Sequence, residues 1–170
     1  MKNFIQGYPK DPQVLLLGDK RLYAKAKPVL KTEIKKIPAI IKQMHGILIQ
    51  YKKNYGKFRA IAAPQIGLSK QLIYLYIQKP VIFINPILKN KSKEMMEVWD
   101  DCMSFPDLLV KVKRHRRCAI DYFDLSWQKH SLDLEGDMSE LLQHEYDHLE
   151  GILATDRAID LRSFAVFNNN

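Results

Sequence analysis

The apolar positions of this chain change period along its length. Between Thr32 and Asn54, Ile34, Ile37, Ile41, Met44 and Leu48 recur every three or four residues. That spacing predicts a helix with one apolar stripe and Thr32 as its N-cap. Pro38 falls inside the segment and either kinks the helix or marks its true first turn. Before it, Pro9, Pro12, Gly18 and Pro28 interrupt any pattern. The first 30 residues therefore read as an extended arm with at most a short helix around Val14–Leu17. Downstream the pattern turns β-like. Leu72–Ile77 and Val81–Ile84 are short β-branched and aromatic runs, and Ala119–Phe123 and Ser131–Leu134 read as strands too. Lys79-Pro80 breaks the first pair, and Trp127-Gln128 falls in the turn between the second pair. A second helical segment, Met138–Leu149, follows Gly136-Asp137. Asp137 can cap it, Glu140 completes a capping box, and Gly151 ends it as a C′ residue. Asn168-Asn169-Asn170 read as a frayed end. Strands followed by one helix predict an α+β fold. In it, antiparallel β-sheets pack around a central C-terminal helix, with an N-terminal helix beside them.

Composition narrows the class. At 170 residues the chain is expected to form a single domain over residues 1–170. Its 46% hydrophobic and 27% charged residues are ordinary for a soluble globular protein. No apolar run approaches the roughly 20 residues that cross a bilayer. The start, Met1-Lys2-Asn3-Phe4-Ile5-Gln6-Gly7, lacks the apolar stretch of a signal peptide, so a cytoplasmic location is expected. In a reducing compartment Cys102 and Cys118 are better used as thiols than as a disulfide. A net charge of +8 favours weak attraction to RNA, including ribosomal RNA. Lys111, Lys113, Arg114, Arg116 and Arg117 form the densest basic run, which also reads as a solvated edge strand.

The chemistry concentrates at His144-Glu145-Tyr146-Asp147-His148. On a helix of 3.6 residues per turn, the two histidines are about 40° apart around the axis and about 6 Å apart along it. They can share one metal ion. Glu145 is rotated about 100° from His144, so it flanks such an ion and can move protons to and from water. A catalytic site needs a third protein ligand and one open position. Downstream, Asp156 and Asp160 offer oxygens, but no His or Cys follows His148. Upstream, Cys102 offers a thiolate in Trp99-Asp100-Asp101-Cys102-Met103-Ser104-Phe105-Pro106.

Three separated segments resemble the motifs of the peptide deformylases, in the family's order. Phe58-Arg59-Ala60-Ile61-Ala62-Ala63-Pro64-Gln65 resembles Gly-x-Gly-Leu-Ala-Ala-Pro-Gln. Asp100-Asp101-Cys102-Met103-Ser104 resembles Glu-Gly-Cys-Leu-Ser. Gln143-His144-Glu145-Tyr146-Asp147-His148-Leu149-Glu150-Gly151 carries the third motif intact. Ile84-Asn85-Pro86 and Arg114 before the Cys118–Tyr122 strand match as well, so the likeness spans roughly residues 10 to 160.

The resemblance implies that Cys102, His144 and His148 bind the metal and that Glu145 is the general base and acid. It gives Gln65 and the backbone N–H of Met103 to the developing oxyanion. Ala60, Asp101 and Arg114 are expected at the substrate. The implied cofactor is one divalent ion, Fe2+ foremost, with Zn2+, Ni2+ or Co2+ as replacements. The implied partners are formyl-Met nascent peptides, with weak ribosome association and with neither DNA nor a membrane. Phe58 and Ala60 stand where the family has glycines, and Asp100 and Asp101 replace Glu and Gly. These changes point to the peptide cleft and leave the metal ligands in place. Three competing readings follow. One is a deformylase-like hydrolase acting on another N-acyl group or an unusual peptide. The second is a His-Glu-x-x-His metallopeptidase, which lacks its downstream ligand here. The third is a non-catalytic basic ribosome-associated module, which would have no use for Glu145.

Overall fold

A computed structural model describes residues 13–57 and 59–166. Calls made on Pro9, Pro12, Phe58 and Asn168–Asn170 lie outside these residues. The apolar stripe forms helix α1, Ile37–Tyr55, and Pro38 sits in its first turn, where a missing N–H costs nothing. Thr32 does not cap it; Lys31–Lys36 form a 3₁₀ turn that leads into the helix. No helix forms at Val14–Leu17, and the arm's first regular piece is a 3₁₀ turn at Lys20–Tyr23, capped by Asp19.

Five strands make one antiparallel sheet. They are β1 (Ala60–Ala62), β2 (Leu72–Tyr76), β3 (Pro80–Lys89), β6 (Arg117–Phe123) and β7 (Lys129–Glu135), adjacent in that order. Between β3 and β6 the chain builds a long hairpin from β4 (Met95–Cys102) and β5 (Phe105–His115). With β8 (Phe164–Val166) the hairpin forms a separate three-stranded sheet. The sequence pattern did not predict this hairpin, because charged side chains such as Glu97, Asp100, Asp101, Asp107, Lys111 and Lys113 interrupt its apolar residues. Helix α2, Asp137–Glu150, carries residues 144–148.

Two-residue alternation along β2 explains the layering. Leu72 and Tyr74 pack with Met44, Ile47, Leu48 and Tyr51 of α1. Ile73 and Leu75 point the other way and pack with Leu142 and Leu149 of α2. The large sheet is thus held between the two helices. A smaller cluster of Cys102, Phe105, Val110, Val112 and Ala154 roots the hairpin. Fully burying one such aliphatic side chain contributes about 1.5–3 kcal/mol before entropy is counted.

The arm is fixed by backbone bonds. Leu15 N–H donates to Gln65 O at 2.7 Å, Leu17 N–H to Ser104 O at 2.9 Å, and Ala26 N–H to Leu149 O at 2.8 Å. Asn85 completes the attachment: its side chain accepts from Val29 N–H at 2.8 Å and donates to Val29 O at 2.9 Å. Helix α2 ends on Gly151 at φ +74, where an added Cβ would meet the Tyr23 carbonyl oxygen at 2.5 Å. Only glycine meets both the left-handed backbone and the close approach. The start of α2 differs from expectation. Gly136, not Asp137, is its N-cap, and no side chain caps it, so the Glu140 carboxyl is free for another use.

Candidate active site

Three elements deliver the site. The last residue of β4 is Cys102, the 3₁₀ turn Ala63–Ile66 presents Gln65, and α2 presents His144, Glu145 and His148. A break in the β4–β5 register between Asp101 and Cys102 turns the thiol inward. Cys102 Sγ lies 3.2 Å from His148 Nε2, which lies 3.2 Å from His144 Nε2. All three donor atoms fall within 4.8 Å of one another, and all three residues are buried.

Surrounding groups orient these atoms. Ser104 N–H donates to Cys102 Sγ at 3.4 Å and Gln65 Nε2–H at 3.6 Å. Ala62 N–H donates to Gln65 Oε1 at 2.8 Å. Because that partner can only donate, the amide oxygen is fixed and its NH2 group faces the site. Asp100 Oδ1 lies 2.7 Å from His144 Nδ1, on the far side of the ring from the thiol.

The charge pattern favours a cation among the donors. Burial opposes charge on His144, but Asp100 and Cys102 override it and raise its pKa well above the ordinary value. Burial and the His144 charge push His148 well below it. Burial would raise the Asp100 carboxyl, yet the charges of His144 and Arg114 hold it at about 2. Positive charge is therefore stabilised where the Sγ and two Nε2 atoms converge. A thiolate and two imidazoles suit a borderline divalent ion, and the carboxylate behind His144 is the usual outer partner of a ligating histidine. Glu145 is also buried, and its Oε2 has no partner among the described residues. Burial raises its pKa to about 7 against the pull of His144, which suits a group that takes and returns a proton near neutrality.

Asp100 continues into a buried ion network. Its Oδ2 accepts from Arg114 at 2.7 Å, and Arg114 also donates to Asp147 Oδ2. Arg157 closes on Asp147 from outside, at 2.5 and 2.6 Å. Asp147 therefore orients Arg114, which orients Asp100, which orients His144. The expectation that Arg114 meets substrate is corrected here. Its side chain is 2% exposed, and its guanidinium is committed to two carboxylates. The alternation of β5 carried the signal: Val110, Val112 and Arg114 share the inward face.

A cleft of about 560 Å³ opens from the site. Gln65, Met103, His144, Glu145, Ala60 and Asp101 are among the residues that line it. The Asp101 carboxylate pairs with Lys57 at 3.0 Å, so it adds no unbalanced charge beside Cys102. Among the lining residues that the sequence reading did not bring to the cleft are Arg59 and Glu140, the latter read as part of a capping box. Glu140 stands four residues before His144, hence on the same helical face, and that spacing was the available signal. The basic run lies on β5, the middle strand of its sheet and not the expected edge, and continues into β6. Lys111 and Lys113 face Glu97 at 3.0 and 3.7 Å, and Arg116 and Arg117 each reach Glu94 at 3.4 Å.

Residues 12–164 match the model of the family described as Polypeptide deformylase. The peptide deformylase of Dictyoglomus turgidum is 33% identical over 142 residues, covering 81% of this chain and 92% of its own. Among solved structures, the peptide deformylase of Thermotoga maritima superposes with a TM-score of 0.79 at 30% identity, covering 86% of this chain and 97% of its own. That of Synechococcus elongatus, solved with actinonin, gives 0.80 at 29% identity over 87% and 79%.

Proposed function

The chain belongs to the polypeptide deformylase family, and from that premise we propose how its residues divide the work. It is a metal-dependent hydrolase that removes the formyl group from the N-terminus of formyl-methionyl peptides and releases formate. The observation that carries the division of labour is the convergence of Cys102, His144 and His148 beside Glu145 and Gln65 at one cleft.

In this reading Cys102, His144 and His148 hold one divalent ion, with Fe2+ the first candidate and Zn2+, Ni2+ or Co2+ able to stand in. When bound, the ion supplies Lewis-acid chemistry, polarising the formyl carbonyl and acidifying water. Glu145 accepts the proton of the attacking water, whose oxygen forms the new bond to the formyl carbon. The Gln65 NH2 group, aimed by the Ala62 N–H, donates to the formyl oxygen as that oxygen gains charge. The Met103 N–H is the second donor. Glu145 then returns the proton to the departing amine nitrogen as the C–N bond breaks, leaving formate and a free N-terminus. Asp100 keeps the His144 ring in register throughout.

Residues 1–170 are read as one catalytic domain. A cytoplasmic site of action agrees with two free cysteines, both buried. Among the described residues, no helix is long and apolar enough to cross a membrane. Weak attraction to ribosomal RNA rests on the net charge of +8, since the β5 run is paired.

The test is formate release from formyl-Met-Ala-Ser by metal-loaded protein. Replacing Glu145→Gln is expected to keep stoichiometric metal and abolish turnover. Metal-loaded wild-type protein that releases no formate would overturn the reading.

A further inference from the structure

Helix α2 turns a second stripe of side chains to a second cavity. Gln143, Tyr146, Asp147 and Glu150 recur at helical spacing, apart from the stripe that carries His144 and Glu145. With β5 and the β3–β4 connection they enclose a pocket of about 300 Å³ that shares no lining residue with the catalytic cleft. Four cations line it, Lys91, Lys113, Arg114 and Arg157, against two carboxylates, Asp147 and Glu150. The carboxylates are already matched. Asp147 holds Arg114 and Arg157, Asp100 takes the other side of Arg114, and Glu150 pairs with Lys25 at 2.6 Å. Lys91 forms no ion pair with a described residue, and Lys113 shares the one carboxylate of Glu97 with Lys111. Lys91 and one of the two lysines at Glu97 are left over, a surplus of two positive charges. One buried donor is also unused. Arg114 is 2% exposed, yet its Nε–H has no partner among the described residues. A buried N–H without an acceptor is costly, and an anion in this pocket supplies one.

We propose that this pocket binds a phosphate group, either the free ion or the phosphate of a small monoester. A phosphate dianion matches the surplus in charge, and its oxygens accept from lysine ammonium groups and from the Arg114 N–H alike. The volume lies at the lower end for ligand pockets, which suits a compact anion better than an extended chain such as RNA. Arg114 then serves the anion through Nε while Nη1 and Nη2 hold Asp147 and Asp100. The phosphate site thus stands behind the carboxylate that orients His144.

The experiment titrates inorganic phosphate into metal-loaded protein by calorimetry at neutral pH, with ionic strength held by chloride. One saturable site is expected. Lys91→Gln/Lys113→Gln replaces two exposed lysines and should weaken phosphate by about fivefold or more. Lys52→Gln/Arg59→Gln removes the same charge from the catalytic cleft and should weaken it by less than about twofold. Glycerol phosphate as a second probe separates the two sources: tighter binding than inorganic phosphate assigns a monoester, and equal or weaker binding assigns the free ion. The absence of saturable phosphate binding overturns the proposal. So does a smaller loss than fivefold in the Lys91 and Lys113 pair, or an equal loss in the two pairs, which would place phosphate in the catalytic cleft or in the general field. A short single-stranded RNA that binds through Lys91 and Lys113 where inorganic phosphate does not also overturns it.

Discussion

Replacing Arg114→Met tests the claim that an ion network behind the ligands holds the site together. Arg114 lies between Asp100 and Asp147, its side chain 2% exposed. Methionine is close to it in bulk and carries no charge, so the chief effect is to strand two buried carboxylates. Removing one partner of a buried ion pair costs about 3–5 kcal/mol. Here the loss is shared unequally. Asp147 keeps Arg157 at 2.5 and 2.6 Å, while Asp100 keeps only His144 at 2.7 Å. The expected cost is therefore near the lower end, about 3 kcal/mol. With a urea slope of about 2 kcal/mol/M, the unfolding midpoint should fall by about 1.5 M. Metal concentration must be held fixed, because binding to the folded state adds its own stability. Arg157→Met is the control. Its side chain is 42% exposed and Asp147 keeps Arg114, so a shift of at most about 0.5 M is expected. A midpoint for Arg114→Met within 0.5 M (roughly 1 kcal/mol) of wild type would refute the reasoning, as would equal shifts in the two variants.

Three further outcomes follow from the same geometry. Replacing Gln65→Leu should lower kcat by about 100–1,000-fold with metal content unchanged, because it deletes one oxyanion donor; a loss under tenfold would place the donor elsewhere. Gly151→Ala should destabilise by about 1–3 kcal/mol, since its Cβ meets the Tyr23 carbonyl at 2.5 Å and φ is +74, and thermal unfolding would read this as a lower Tm. Glu140 and Glu145 are both raised to about 7 in the fold, so the folded state binds more protons than the unfolded between about pH 4.5 and 7. Stability of the metal-free protein should fall as pH rises through that window, and Glu140→Gln should flatten the fall, as followed by urea unfolding at pH 5, 6 and 7.

The legible parts of this protein were those in which spacing is itself the structure. His144, Glu145 and His148 owe their relation to one helical turn, β2 and β6 announce themselves by apolar runs, and β7 by the alternation of Leu132 and Leu134. The β4–β5 hairpin hid because its outward face carries charges that pair across strands, as Lys111 does with Glu97. Read locally, such a face is a basic run; its partner lies in another strand. Arg114 hid for a related reason. Alternation placed it inward, but a charge is buried only with partners, and Asp100 and Asp147 come from distant segments. Glu140 was read as completing a capping box with Asp137 because capping is a local rule, whereas Gly136 took the cap position and left the Glu140 carboxyl at the cleft.

The arm's three backbone bonds, to Gln65, Ser104 and Leu149, have a consequence for when this enzyme can begin to work. The last of these bonds joins residues some 120 positions apart along the chain, 26 and 149. Pairings so distant along the chain form slowly, because a long loop must close before any contact rewards it. Attachment of the arm is therefore expected late in folding, after the sheets and helices have formed locally. The arm's final bond, Ala26 to Leu149, falls on the helix that carries both histidines, so closure of the arm and assembly of the catalytic centre come close to being one event.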